Sequence, residues 1–286
     1  FQAGASGFVS FPEPVEQDEM RGHPEKFAEH YNQATLFFES QSAVEQAHIV
    51  AAFRFELSKC TVPAIRERIL SMLRNVSEDL ARRVAQGLGM PLPGPMPRAL
   101  ARTPRPEVRR SDSLSLLARP GDGGIRTRKV ALLVADGVDG SSVATVTSAL
   151  RAAGAVPRLV GARIGPFTTS GGEEMIADAS MENEPAVLFD ALVLPNGSAA
   201  VKALQNSGQT LEFIKDTYRH CKAILALGES RALLQAAGTP LTLPDGAADP
   251  GIVLGNSKSV RRDVQGFIKA VARHRHPERD TDPPRV

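Results

Sequence analysis

The chain has 286 residues, 42% hydrophobic and 23% charged, with a formal net charge of +2, the values of a globular protein long enough for one large domain or two ordinary ones. So balanced a charge gives no steering field toward nucleic acid or an anionic membrane, and no run of about 18 apolar residues or basic-then-apolar leader marks a membrane span or a signal peptide. Two cysteines, Cys60 and Cys221, are too few for a disulfide framework and match no metal spacing, which suggests a reducing compartment or indifference to one; the expected location is cytoplasmic.

The sequence opens at Phe1, as a processed or excised piece would, and residues 1–23 form an arm without periodicity. A helical segment follows over 24–89. Phe27, Tyr31, Ala34 and Phe38 recur at helical spacing, and Ser42 with Glu45 forms a capping-box pair ahead of an inner stripe of Val44, Ala47, His48, Ala51 and Phe55. Pro63 suits the first turn of a third helix carrying Ile65, Ile69 and Leu73. Ser77 caps a fourth, which bears Leu80 and Val84 and ends at Gly87 and Gly89. Residues 90–127 alternate prolines and arginines with few apolar residues, the composition of a solvated linker. As a basic arm for RNA or an acidic partner it lacks interleaved aromatics.

From 128 to 276 apolar strands alternate with helices: "KVALLVADG", "VPRLVGARIG", "FDALVLPNG", "AILALGE" and "GIVLGN" are the strand-like runs. Such runs predict a parallel sheet covered on both faces, an α/β doubly wound domain of flavodoxin-like type, with a disordered tail over 277–286. The ligand crevice of such a sheet lies beyond the strand C-terminal ends, here near Asp136, Pro195, Asn196, Gly228 and Glu229.

"AILALGESRALL" has the strand, tight turn and helix of a nucleophile elbow, yet Ala226 and Leu227 precede its glycine. Gly197 and Gly228 can leave backbone N–H groups free for an oxyanion, but no base or nucleophile accompanies them. Ser230, on the first helical turn, suits capping better than attack, and Glu229 suits a favourable first-turn acid better than a general base. Cys221 falls on the opposite rim of the sheet. Asp136 and Asp139 admit a metal or ribose role or plain turn chemistry. "ADGVDGSS" is neither a G-x-G-x-x-G nor a Walker sequence, His48 reads as a packing residue, and the other histidines show no ligand spacing, so the residues offer no metal or cofactor site.

"GFVSFPEPVE", "FAEHYNQATLFFESQSAVEQAHIVAAFRFELSK" and "VPAIRERILSMLRNVSEDLARRVAQGLGMPLP" resemble the stretch that follows the haem-binding barrel of large-subunit monofunctional catalases, and "VEQAHIVAAFRFELSKC" is its most specific part. "KVALLVADGVDG", "DALVLPNG" and "AILALGES" then resemble, in order, the flavodoxin-like domain that such catalases carry, itself related to the PfpI/ThiJ and class I glutamine amidotransferase group. In the PfpI/ThiJ relatives a cysteine stands two residues before the elbow glycine, which falls on Ala226, and a supporting glutamate falls near Ser141 or Ser142. The resemblance therefore implies an elbow without its nucleophile. It also implies a haem ligand tyrosine with an arginine four residues earlier, whereas Tyr31 and Tyr218 are preceded there by Phe27 and Ile214.

The resemblance implies no cofactor in this chain, haem in a parent catalase, and a missing N-terminal catalase core as the main partner. The leading expectation is a non-catalytic C-terminal part of a homotetrameric catalase. Two rivals are a chaperone-like module that binds unfolded clients through exposed helix faces, and a PfpI-like hydrolase or glyoxalase working without cysteine.

Overall fold

The computed structural model describes residues 12–19, 21–22, 25–118, 122–256 and 259–286. Residues 1–11 of the expected arm, with Met20, His23 and Pro24, lie outside the described residues; 12–19 are exposed and form neither helix nor strand. The chain divides into two compact units, Phe1–Ala118 and Arg119–Val286.

The first unit contains α1 (Asn32–Ser40), α2 (Ala43–Ser58), α3 (Pro63–Val76) and α4 (Glu78–Gly87). The stripe expected from Phe27 to Phe38 does not lie on one helix. Glu29 starts α1 late by accepting from the backbone N–H groups of Tyr31 and Asn32, and Phe27, in a 3-10 turn before it, is 63% exposed. The Ser42–Glu45 capping box forms as expected. The inner stripe of α2 does not: Val50 and Leu57 are buried and Phe53 packs beside them, while His48, Ala51 and Phe55 are exposed. This helix is apolar around much of its circumference, so spacing alone admits two inner faces. Leu70, Leu73, Leu80, Ala81 and Val84 complete the core from α3 and α4; Pro63 opens the first turn of α3 and Ser77 caps α4, as the sequence predicts.

Residues 90–118 depart from the solvated linker expected of them and form a strap along these helices. Met90 and Leu92 pack on the helical core. A proline-rich backbone has carbonyls to satisfy and few N–H groups to offer. Side chains of the helices supply the donors: Arg74 to the Pro93 carbonyl at 2.6 Å, Asn75 to Met96 at 2.8 Å and Asn32 to Pro104 at 3.1 Å. Farther on, Glu45 accepts from the Ser115 hydroxyl at 2.7 Å and from the N–H of Leu116 at 2.9 Å, in addition to its capping bond from Ser42. Burial works to raise the Glu45 pKa, but the Ser42 backbone, Ser115 and Leu117 donors outweigh it and hold the carboxyl at about 2.

The second unit is a six-stranded, all-parallel sheet in the order β5-β2-β1-β6-β7-β8, made of β1 (Lys129–Leu133), β2 (Val156–Gly161), β5 (Ala179–Ser180), β6 (Ala191–Leu194), β7 (Ala223–Leu227) and β8 (Ile252–Gly255). A separate antiparallel pair, β3 (Gly165–Thr168) and β4 (Glu174–Ala177), interrupts the winding. The strands are apolar on both sides because each side meets helices. Val130, Leu132, Val193 and Leu225 pack under α5 (Gly140–Ala152) and α9 (Val260–Ala272). Ala131, Leu133, Leu192 and Ile224 pack under α6 (Ser198–Gln205), α7 (Gly208–Arg219) and α8 (Arg231–Ala236).

The tail over 277–286 is docked, contrary to the disorder expected. Arg279, in a 3-10 turn, forms an ion pair with Asp249 at 2.9 Å in which both side chains are at most 1% exposed, and Arg219 donates to the Val286 carbonyl. A short polar tail looks untethered in sequence because the ion pair that holds it is formed with a residue thirty positions away.

Candidate functional site

The crevice is built from the loops that leave β1, β6 and β7. In a doubly wound sheet it opens where the chain reverses its winding direction, here between β1 and β6. In this molecule those loops meet and close it. The Asp139 N–H donates to the Asn196 carbonyl at 2.8 Å, the Glu229 N–H donates to Asn196 Oδ1 at 3.0 Å, and the Ser230 hydroxyl lies 2.7 Å from the Leu194 carbonyl oxygen. Gly197 has φ +133°, and a Cβ there would collide with the Gly137 carbonyl and the Val138 backbone. Gly228 has φ +58°, and a Cβ there would collide with the Asn196 amide. Glycine at both positions lets the three loops approach within contact distance.

Each residue singled out in the sequence has a definite place. Asp136 is exposed and its Oδ1 accepts from the Thr168 N–H at 2.8 Å, tying the β3–β4 pair to the end of β1. It lines an open cleft of about 400 Å³ with Arg163, Ile164 and Phe167 beside the sealed crevice, so it is not joined there by Glu229 or Ser230. Asp139 caps α5 by accepting from the N–H groups of Ser141 and Ser142. Glu229 is exposed, and its own N–H is given to Asn196 Oδ1. Ser230 is 0% exposed and its hydroxyl is within reach of two carbonyls, Leu194 and Leu227 at 2.9 Å. A buried hydroxyl facing only acceptors has no base to take its proton.

Ala226 lies inside β7, paired with Leu194 and Leu254 and 1% exposed among the apolar side chains under α6 to α8. An elbow nucleophile needs the strained position of the turn, and here the left-handed backbone belongs to Gly228, which has no side chain. Cys221 sits at the other end of β7 as expected, with Sγ 3.0 Å from Asp280; burial first, and the Asp280 carboxylate second, push its thiol pKa far above the usual range.

The two tyrosines lie in different units. Tyr31 precedes α1 with the Arg98 guanidinium 5.1 Å from its ring centroid. Tyr218 is 3% exposed in the core under α7, with Arg279 stacked 4.6 Å above its ring, so its hydroxyl, though unpartnered among the described residues, faces no room for a porphyrin. Among the described residues no group of three or more His, Cys, Asp and Glu side chains could hold a metal ion, and no helix is long and apolar enough to cross a membrane. Sequence reasoning placed Asn196 at the crevice but missed its role as the clasp, and it passed over Asp249 and Arg279; charged residues near a polar terminus were the only available signal.

Fold and site together define a doubly wound α/β domain whose crevice is closed by its own loops, preceded by a four-helix unit. Residues 24–88 match the family described as catalase-related immune-responsive, and residues 126–281 match the C-terminal domain found in long catalases. The chain belongs to that long-catalase family. Catalase HPII of Pseudomonas aeruginosa is 38% identical over 94% of this chain and 36% of its own length, and catalase HPII of Pseudomonas putida is 36% identical over 96% and 36%. Catalase C of Rhizobium meliloti is 36% identical over 85% of this chain and 34% of its own length. The chain thus spans about a third of the length of these curated relatives.

Proposed function

We propose that this chain is the C-terminal portion of a cytoplasmic, homo-oligomeric haem catalase, which turns hydrogen peroxide into water and oxygen, and that the portion itself is non-catalytic and stabilises the subunit or its assembly. The observation that carries this is the closed crevice. Ser230 and the Glu229 N–H, the groups an elbow enzyme would turn on a substrate, are spent on the Leu194 carbonyl and Asn196, and Asp136 is held by Thr168. The catalase relatives supply the parent reaction. In this arrangement the haem belongs to a core that precedes the helical unit, and α2 meets that core through the face bearing Ala51 and Phe55, the latter 63% exposed.

The test uses a catalase that carries this chain behind its haem core. Removing residues 126–281 should leave the initial rate of oxygen release unchanged and shorten the half-life of activity at raised temperature. Lost turnover with an unaltered half-life would contradict a stabilising role. The exposed α2 face also favours a second reading, binding of unfolded clients; protection of an unrelated enzyme from thermal aggregation at near-stoichiometric ratio is what that reading requires.

A further inference from the structure

Four of the buried polar side-chain atoms that have no hydrogen-bond partner among the described residues belong to one cluster: Tyr218 Oη, Asp249 Oδ2, His276 Nδ1 and Arg279 Nε. It lies where the last residues of the chain are held against β7 and β8. The Arg279 guanidinium pairs with Asp249, donates to the Lys222 carbonyl at 3.0 Å and lies 4.6 Å from the Tyr218 ring centroid. Gly251, just before β8, makes the room, because a Cβ there would collide with both the Arg279 guanidinium and the His276 ring. Buried polar groups are normally paired, so a cluster with four unmet groups holds its segment less firmly than its burial suggests.

His276 is the first residue of that segment to enter the cluster. It is 0% exposed, its backbone N–H donates to the Cys221 carbonyl at 2.8 Å, and its ring Nε2 lies 3.0 Å from the Ala270 carbonyl of α9. A carbonyl only accepts, so Nε2 carries the hydrogen and the neutral ring keeps its lone pair on Nδ1. A proton added at Nδ1 finds no described partner and places a charge where there is no solvent. Burial first, then Arg279 and Arg273, hold the His276 pKa below the ordinary 6.5; the Ala270 carbonyl and Asp249 work against them and are outweighed. Asp249 is committed through Oδ1 to Arg279 and to the Gly251 N–H.

Other titratable groups face the cluster. From α7 and β7, burial raises Tyr218 and, with Asp280, Cys221, and it brings Lys222 down to about 8, so all three lie above the range in which a histidine titrates. On the segment itself, burial works to raise Glu278, but its own N–H and Arg273 hold it low. His220 and His274 do share the range, both lowered by burial first.

We propose that residues 276–286 form a proton-released latch, docked while His276 is neutral and freed from β7 and β8 when His276 takes a proton. A ring that binds its proton more weakly docked than free favours release as the pH falls below 6.5, by up to about tenfold for each pH unit until the docked ring itself titrates. Release takes Arg279 from Asp249 and Val286 from the apolar side chains under α6 to α8, and so opens the rim of the sheet opposite the crevice.

The experiment follows amide hydrogen exchange at His276, Arg279 and Asp280 in the full chain, corrected for the intrinsic pH dependence of exchange, from about pH 7 to about pH 5, with an NMR titration of the His276 ring alongside. The expected result is a loss of protection that starts below pH 6.5 and is confined to the segment, with a ring midpoint also below 6.5. His276→Gln keeps a donor for the Ala270 carbonyl and cannot take the proton, so its protection should stay level across the range. Unchanged protection in the native chain overturns the proposal. So does an equal loss in His276→Gln, which would assign the titration to His220 or His274. Where the variant fails to dock at pH 7, the ring titration decides, and a midpoint at or above 6.5 overturns the proposal.

Discussion

Asn196 makes two of the contacts that close the crevice, its carbonyl accepting from Asp139 and its side chain from Glu229. The second contact requires the amide to lie where a Cβ on residue 228 would be. Gly228→Ala should therefore suffer twice: from the left-handed backbone, about 1–2 kcal/mol, and from the collision with Asn196. Urea unfolding of Gly228→Ala, Asn196→Ala and the double variant tests this, and the expected cycle is non-additive, because removing the amide relieves the collision and leaves only the backbone cost. Additive losses would mean that the amide does not set the fit. The Asp249–Arg279 pair carries a second residue-scale prediction. Asp249 Oδ1 accepts from Arg279 and from the Gly251 N–H at 2.8 Å, with no solvent on either side chain. Arg279→Ala should destabilise the second unit by about 3–5 kcal/mol by stranding a buried carboxylate, whereas Asp249→Leu with Arg279→Met should cost much less. Equal losses from the single and the double variants would refute the pairing.

At the scale of elements, the strap shows how an extended proline-rich segment becomes ordered. Its carbonyls are met by Arg74, Asn75 and Asn32, and its far end is held by one carboxylate, Glu45, that also caps α2. The pH dependence follows from that carboxylate. Its folded pKa, about 2, lies below the ordinary glutamate value of 4.5, so its contribution to stability is complete above pH 4.5 and is lost as the pH falls from 4.5 toward 2. Acid titration of the helical unit, followed by protease cleavage within residues 111–118, should show the strap loosening in that window, and Glu45→Gln should show it already loose at pH 7. Equal protection of both forms at neutral pH would contradict the latch. The capping box was legible in the sequence because it is local: Ser42 and Glu45 lie three residues apart. The strap was not, because composition reports how little a segment can bury and is silent on donors waiting elsewhere. The α2 stripe failed for a different reason, since a helix apolar on several sides has no single period to read. In the sheet, by contrast, each strand is a short apolar run between turn residues, and both the doubly wound fold and the position of the elbow were readable from that pattern.

For the whole molecule, the sheet domain keeps the topology that creates a crevice, and there Asn196 accepts from Glu229, Ser230 lies against the Leu194 carbonyl and Gly228 lets the Asn196 amide approach. The helical unit keeps an apolar α2 face that its own core does not cover. The most direct test of this account is a haem titration of the chain with the Soret band and oxygen release from peroxide recorded together. The account predicts no Soret shift and no oxygen above the free-haem control; a stoichiometric haem complex that turns over peroxide would contradict it.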